Sequence, residues 1–253
     1  MQKRGQITVF VIIFLVVLIT LALFYFTKSN LFDISVKGIN IQKKLEVELN
    51  SIEKQIEECV SKETSIFLSK IADQGGFLEP TKYLDYKGKK ISFLCQNIPN
   101  EKKCLNSMLS KEDLEFQLKN SLENKLPFCI GLDALKKRNE AFTHGDLRIT
   151  SKINDKNINI KLELPLTLSK DAITLKKGEF NYIINSRLGK IIHLINKILN
   201  AEATEGTFGT TIETASSYGR NLVVLKQSSP HEVYKVSVIE EPDYIFYFAI
   251  ENE

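Results

Sequence analysis

An uninterrupted apolar run lies near the N-terminal end of the chain. Residues 7–26 read ITVFVIIFLVVLITLALFYF, twenty residues without a charge, a glycine or a proline. As a helix rising about 1.5 Å per residue, this run would cover about 30 Å, the thickness of the hydrocarbon core of a bilayer. A cleaved secretory signal has a shorter apolar stretch, and a buried core helix is usually flanked by amphipathic sequence. The pattern therefore predicts a transmembrane helix over residues 7–27, followed by a juxtamembrane connector over residues 28–40 with a break at Gly38.

Apolar residues recur at helical spacing in three later parts of the chain. The first of these stretches stops at Gly75-Gly76, a pair that is typical of a helix end. The second begins with Ser110 and Asp113, whose three-residue spacing resembles a capping box, and Pro127 is expected to end it. We therefore predict three long amphipathic helices, over residues 41–74, 110–126 and 177–203.

Alternation of apolar and polar residues predicts two hairpins, over residues 77–95 and 146–168. Their turns are expected at Lys87-Gly88-Lys89 and at residues 154–157. After a Gly/Thr segment at residues 206–211, strands are predicted over residues 221–226, 232–240 and 244–250, separated by turns at residues 228–230 and at Pro242. Hairpins with intervening helices indicate an α+β fold, in which antiparallel strands pack with the three long amphipathic helices in one domain over residues 41–253.

The small net charge of the chain is concentrated around the apolar run. The sequence has 34 Lys plus Arg and 31 Asp plus Glu, and residues 1–28 contain Lys3, Arg4 and Lys28 but no acidic residue. The remainder is therefore electrically balanced, which argues against a nucleic-acid partner, and 43% hydrophobic residues argue against disorder. The basic leader at residues 1–6 favours a cytoplasmic N-terminus. These charges predict a single-pass protein of the cell membrane whose C-terminal domain lies outside.

The junction between the basic leader and the apolar run carries a resemblance to a known family. Lys3-Arg4-Gly5-Gln6, followed at once by an apolar helix, resembles the class III signal of type IV pilin-like proteins, particularly the membrane-anchored surface proteins of archaea. In that family a prepilin peptidase cuts after the glycine, which corresponds here to cleavage between Gly5 and Gln6. Pilins often carry Glu at the fifth mature position, where this chain has Phe10.

The resemblance covers about residues 1–26. It implies a prepilin peptidase as a partner, membrane lipid around residues 7–27, and self-association or contact with other envelope proteins. The family likeness thus favours a pilin-like or surface protein with a structural or interaction role.

The chain contains four cysteines, Cys59, Cys95, Cys104 and Cys129. An even number of cysteines on the outer side of a membrane suggests two disulfides, and four cysteines allow three pairings. Cys95 and Cys104 are nine residues apart, so a local bridge between them closes easily. Cys59 and Cys129 would then join the first helix to the end of the second, and we favour this pairing. A metal site is the competing hypothesis, but the sequence has no C-x-x-C pair and no His near any Cys.

Histidines and acidic pairs give little sign of catalysis. His144, His193 and His231 are isolated, and no H-E-x-x-H motif is present. His193 lies on an otherwise apolar helical stretch, where we expect it to serve the core or its boundary.

The adjacent acidic pairs, Glu57-Glu58 and Glu240-Glu241, point away from one another and are expected to face solvent. We therefore expect no catalytic, cofactor-binding or metal-binding residue. The favoured hypothesis is a membrane-anchored, non-enzymatic structural or interaction protein. A tethered enzyme or small-molecule receptor, and a scaffold subunit of a secretion or envelope complex, are the alternatives.

Overall fold

The computed structural model describes residues 5–98, 104–138, 142–205, 222–227, 230–239 and 241–251. These residues form an α+β structure with four helices and ten strands. The helices are α1 (Gly5–Asp73), α2 (Lys111–Ile130), α3 (Leu132–Arg138) and α4 (Leu188–Glu205). The strands are β1 (Tyr83–Tyr86), β2 (Lys89–Asn97), β3 (Cys104–Asn106), β4 (Phe142–His144), β5 (Arg148–Ile153), β6 (Asn157–Lys170), β7 (Ile173–Asn185), β8 (Leu222–Gln227), β9 (Glu232–Val238) and β10 (Glu241–Ile250).

Helix α1 is one continuous helix of 69 residues. It remains helical through residues 28–40, where the sequence analysis places a connector, and through Gly38, where it places a break. A single glycine costs a helix only about 1 kcal/mol, which neighbouring turns can outweigh. The predicted end of the helix before Gly75-Gly76 agrees with the structure, and both glycines have positive φ angles, 71° and 92°.

The predicted membrane span is contradicted by the structure. Within the described part of the chain, no helix combines the length and the apolar character that crossing a bilayer requires. The transmembrane helix over residues 7–27, and with it the single-pass localisation with an outer C-terminal domain, is therefore a wrong prediction.

Helix α2 begins as predicted and ends later than predicted. The Ser110 hydroxyl accepts a hydrogen bond from the Asp113 amide at 3.0 Å, and the Asp113 carboxylate accepts one from the Ser110 amide, which completes the capping box. Pro127 lies inside the helix rather than ending it. The helix continues to Ile130 and is capped by Gly131, whose positive φ of 68° allows its amide to bond to the Pro127 carbonyl.

The first sheet contains four antiparallel strands, in which β6 pairs with β4, β5 and β7. The predicted hairpin at residues 146–168 corresponds to β5 and β6. The predicted helix over residues 177–203 is wrong in its first part, because β7 occupies residues 173–185 and the helix α4 begins only at Leu188. The four-residue spacing of Phe180 and Ile184 is compatible with a helix. In the strand β7, however, both side chains lie on the same face as Tyr182, and all three pack against the core.

The second sheet has the strand order β1-β2-β10-β9-β8, with β3 also paired to β2. The predicted hairpin at residues 77–95 is present as β1 and β2, which turn at Lys87 and Gly88. The predicted C-terminal strands correspond to β8, β9 and β10, and Pro242 lies within β10. The predicted Gly/Thr segment at residues 206–211, and residues 228 and 229 of the predicted turn, lie outside the described residues.

A single large core joins both sheets to the helices. The C-terminal half of α1 enters this core between α2 and the sheets, and α4 covers the second sheet. The prediction of three long amphipathic helices is wrong: the structure has four helices, of which α1 already begins at Gly5, α3 has only 7 residues and α4 begins only at Leu188. The buried positions of α1 recur at helical spacing and include Leu45, Ile52, Ile56, Cys59, Val60, Phe67 and Ile71.

A smaller second core lies on the opposite face of the second sheet. Ile91, Phe93, Val233 and Ala249 are buried there, beneath side chains from the β1–β2 hairpin. The Tyr86 hydroxyl reaches across this face to the Gln227 side-chain oxygen of β8 at 2.6 Å. The hairpin is thus folded against the sheet, where it covers apolar surface that would otherwise face water.

Candidate functional site

The most exposed apolar surface in the described structure is the N-terminal part of α1. We call residues Phe10–Ala22 of this helix the apolar arm. Every one of its side chains is exposed, and the large apolar ones range from 47% for Val17 to 68% for Phe10. Its one hydroxyl, that of Thr20, donates a hydrogen bond of 2.9 Å to the Val17 carbonyl and so satisfies itself within the helix. The arm is therefore apolar on all sides, unlike the later turns of α1, where charged residues separate the buried ones.

The helix that carries the apolar arm is firmly held by the domain. Cys59 in α1 is joined to Cys129 in α2, with a Cα–Cα distance of 5.9 Å. Near the same level, Gln55 donates a hydrogen bond of 2.9 Å to the Ile130 carbonyl, and Lys125 of α2 lies 3.3 Å from the Glu63 carboxylate. These bonds fix the C-terminal part of α1 to α2.

The second disulfide links two neighbouring strands of the second sheet. Cys95 of β2 is joined to Cys104 of β3, with a Cα–Cα distance of 5.2 Å. The structure therefore contains two disulfides, in the pairing that the sequence analysis favours, and all four cysteines are used.

The remaining predicted residues are scattered over the molecule. Gly5 and Gln6 form the first turn of α1, and the cleavage between them stays a prediction. Glu57 and Glu58 are exposed as expected, Glu240 lies outside the described residues, and Glu241 is the first residue of β10.

Each of the three histidines lies in a different part of the fold. His193 is exposed on α4, so its expected position in the core or at its boundary is wrong. His144 contacts the Gly145 carbonyl at 3.0 Å, and His231 meets the edge of the Phe93 ring. Over the described ranges, no group of three or more His, Cys, Asp or Glu side chains could hold a metal ion.

Sequence reasoning missed a buried polar cluster between α4 and the second sheet. Glu202 exposes only 4% of its side chain, and it accepts hydrogen bonds from the buried Tyr234 hydroxyl and from Lys226, the latter at 3.2 Å. Lys226 also lies 2.8 Å from Glu232 and above the Tyr234 ring. The sequence does contain one sign of this cluster. Lys226 lies two residues after Val224, which packs on the core, so the alternation of a strand places the lysine on the inward face of β8.

The environment of this cluster shifts two pKa values. Burial raises the pKa of the Tyr234 hydroxyl, and its hydrogen bond to the Glu202 carboxylate raises it further. Burial lowers the pKa of Lys226, but the hydrogen bonds and negative charges of Glu232 and Glu202 outweigh it, so the net pKa is raised. The lysine therefore stays charged and the tyrosine stays neutral, and the cluster joins α4 to β8 and β9.

Comparisons with known proteins add no relative. No protein-family model matches the chain, and searches of curated proteins and of solved structures likewise find no match.

Proposed function

We propose that this protein is a non-enzymatic structural subunit that assembles with copies of itself by packing their apolar arms together. The observation that carries the proposal is the exposure of the arm on every side. Burial of apolar surface contributes roughly 25 cal/mol per Å². An apolar helix that faces water along its whole length therefore favours association strongly.

The distribution of apolar residues around the arm also favours a particular kind of assembly. A helix that pairs with one partner needs a single apolar stripe, whereas a helix that is apolar all round needs neighbours on all sides. Arms from several copies would meet this need by packing as a bundle or as the core of a filament. The disulfide-bonded domains, which continue directly from the arms through α1, would lie around that core.

The resemblance at Lys3-Arg4-Gly5-Gln6 supports the same proposal. Cleavage between Gly5 and Gln6 by a prepilin peptidase would remove both basic residues from the end of the arm. Two like charges per copy would otherwise be brought together when the arms pack, and such charges repel at close range. On this proposal, processing prepares the arm for assembly.

The experiment compares the full chain with two variants of matched chemistry. Val16 in the arm and Val47 further along α1 are both exposed valines, at 55% and 63%. In analytical ultracentrifugation after removal of detergent, we expect wild type and Val47→Asp to form large assemblies and Val16→Asp to sediment as smaller species. The reason is that an aspartate buried between apolar helices has no partner for its charge.

Two results would overturn the proposal. One is a wild-type chain that remains monomeric in water, or that assembles equally well with either aspartate. The other comes from flotation with vesicles of phosphatidylcholine and phosphatidylglycerol: if the wild-type chain enters the vesicles as a monomer and Val16→Asp does not, the arm binds lipid rather than other arms. Circular dichroism of all three chains controls for folding.

A further inference from the structure

The two long edges of the first sheet, β5 and β7, differ in whether side chains cap their outward-facing backbone groups. At the β5 edge, the Glu115 carboxylate of α2 accepts a hydrogen bond from the Ile153 amide at 2.7 Å, and Glu123 accepts one from the Ile149 amide at 3.0 Å. The Ser151 hydroxyl, between them, bonds to the Glu115 carbonyl. Outward-facing donors of β5 are thus capped by a helix, which blocks the addition of another strand at this edge.

The β7 edge has no such cap in the described structure. Strand β7 pairs with β6 alone, from Ile173 to Asn185, and no side chain of the described residues bonds to its outer backbone groups. Near its end, Ile183 lies on the outer face of the sheet and is 69% exposed. An open edge with an exposed β-branched residue is a template for pairing with another strand.

The sequence of this edge is complementary to itself. Residues 181–185 read NYIIN and carry no charge. In an antiparallel pair of two copies centred on Ile183, isoleucine faces isoleucine, Tyr182 faces Ile184 of the other copy, and Asn181 faces Asn185. Facing apolar side chains favour strand pairing.

The two faces of the sheet are also preserved in this register. Glu179, Asn181, Ile183 and Asn185 are exposed on the outer face, whereas Phe180 and Tyr182 lie toward the core. Directly opposite residues of an antiparallel pair share a face. The pairing therefore joins outer face to outer face and extends both layers.

We infer that the β7 edge is an interface between two copies of this chain, paired antiparallel about Ile183. The two four-stranded sheets then form one continuous sheet of eight strands, related by a two-fold axis. This contact is separate from the apolar arms, so a subunit that has both can be linked to its neighbours at two places.

The test uses the full chain with Val16→Asp, so that assembly through the arms does not contribute. Because all four native cysteines are paired, one added cysteine supplies a single free thiol. Ile183→Cys places two thiols opposite each other at the axis, at a Cα separation of about 4.5–5.5 Å, which suits a disulfide. Leu225→Cys is the matched control, because Leu225 is 60% exposed on β8, an edge strand of the other sheet.

The register can be tested with one more position. In this register the two copies of Asn181 would be offset by four residues, or roughly 13 Å, whereas Asn181 of one copy would lie directly opposite Asn185 of the other. We expect mild oxidation to give a covalent dimer of Ile183→Cys, and of an Asn181→Cys and Asn185→Cys mixture. Asn181→Cys alone and Leu225→Cys should stay monomeric.

Equilibrium measurements complete the test. Ile183→Lys should raise the dimer dissociation constant at least about tenfold, because two like charges would face each other at the axis, whereas Leu225→Lys should leave it within about twofold. A chain that stays monomeric at high concentration in the Val16→Asp background overturns the inference and leaves the arm proposal untouched. Equal cross-linking at residues 183 and 225 also overturns it, because contact would then be non-specific.

Discussion

Replacing Lys226 with methionine tests whether the buried cluster holds α4 to the second sheet. The lysine lies between two carboxylates, 3.2 Å from Glu202 and 2.8 Å from Glu232, with 16% of its side chain exposed. Lys226→Met keeps most of the aliphatic stem and removes the charge. Glu202, with 4% of its side chain exposed, would then be a carboxylate with far less compensation.

The expected loss of stability follows from this burial. Removing one partner of a buried ion pair costs about 3–5 kcal/mol, because the other charge is left uncompensated. Solvent reaches part of Lys226, and the Tyr234 hydroxyl still donates to Glu202, so we expect a decrease in the free energy of unfolding of about 2–3 kcal/mol. Urea unfolding at pH 7 with the disulfides intact, followed by circular dichroism, measures this difference.

Lys161 supplies a closely matched control. It also contacts two glutamates, Glu163 and Glu179, both at 3.2 Å, but 40% of its side chain is exposed. Exposed ion pairs contribute little because water and salt screen them, so Lys161→Met should leave unfolding almost unchanged. Equal effects of the two substitutions would refute the reasoning, because burial would then not be what gives the Lys226 pairs their strength.

The pH dependence gives an independent check on the same pairs. Because the pKa of Lys226 is raised in the folded protein, its contribution is complete below the unfolded value of 10.5 and is lost as the pH rises through the folded value. The difference between wild type and Lys226→Met should therefore shrink above about pH 10.5. A difference that stays constant from pH 7 into this range would point to lost packing rather than lost charge.

Two further substitutions test the packing and the covalent links. Gly189→Ala should lower the free energy of unfolding by roughly 1–3 kcal/mol, because the added Cβ would lie 2.5 Å from the Asn154 carbonyl oxygen. Gly178→Ala is the control and should be close to neutral, because nothing lies within 4 Å of its added Cβ. An unchanged thermal midpoint for Gly189→Ala would contradict the close approach. Replacing Cys59 and Cys129 by serine should lower the free energy of unfolding by about 4 kcal/mol, and replacing Cys95 and Cys104 by serine should lower it by about 3 kcal/mol. The first loss is larger because the Cys59–Cys129 bond closes the longer loop. The reverse order in urea unfolding would contradict this account.

Elements with strong local signals could be predicted from the sequence. The hairpin of β5 and β6 alternates strictly and has a four-residue polar turn, and the Ser110–Asp113 capping box forms as expected. Local chemistry determines both features, since a turn or a cap involves only a few neighbouring residues.

Elements whose local signal fits two structures could not be predicted. Between Ile173 and Asn185, apolar residues satisfy both helical and strand spacing, and pairing with β6 decides for the strand. Helix α2 continues past Pro127 because Leu126 and Ile130, on either side of the proline, are buried in the core.

The buried cluster and the capping of the sheet edges could not be predicted from the sequence. Glu202 and Tyr234 are 32 residues apart, and Glu115 meets Ile153 from 38 residues away. Only the folded chain brings such groups together. The cysteine pairing could be predicted because four cysteines allow only three pairings and Cys95 and Cys104 are nine residues apart.

The Cys59–Cys129 bond determines how a pulling force would travel through the molecule. Tension applied along α1 can pass through the sulfur atoms of Cys59 and Cys129 directly. Residues 60–128, including the second disulfide, form a closed loop whose two ends cannot be pulled apart while this bond is intact. Under traction between the two chain ends, extension beyond the disulfide can come only from residues 130–253, so more than a quarter of the chain is mechanically shielded while the bond is intact.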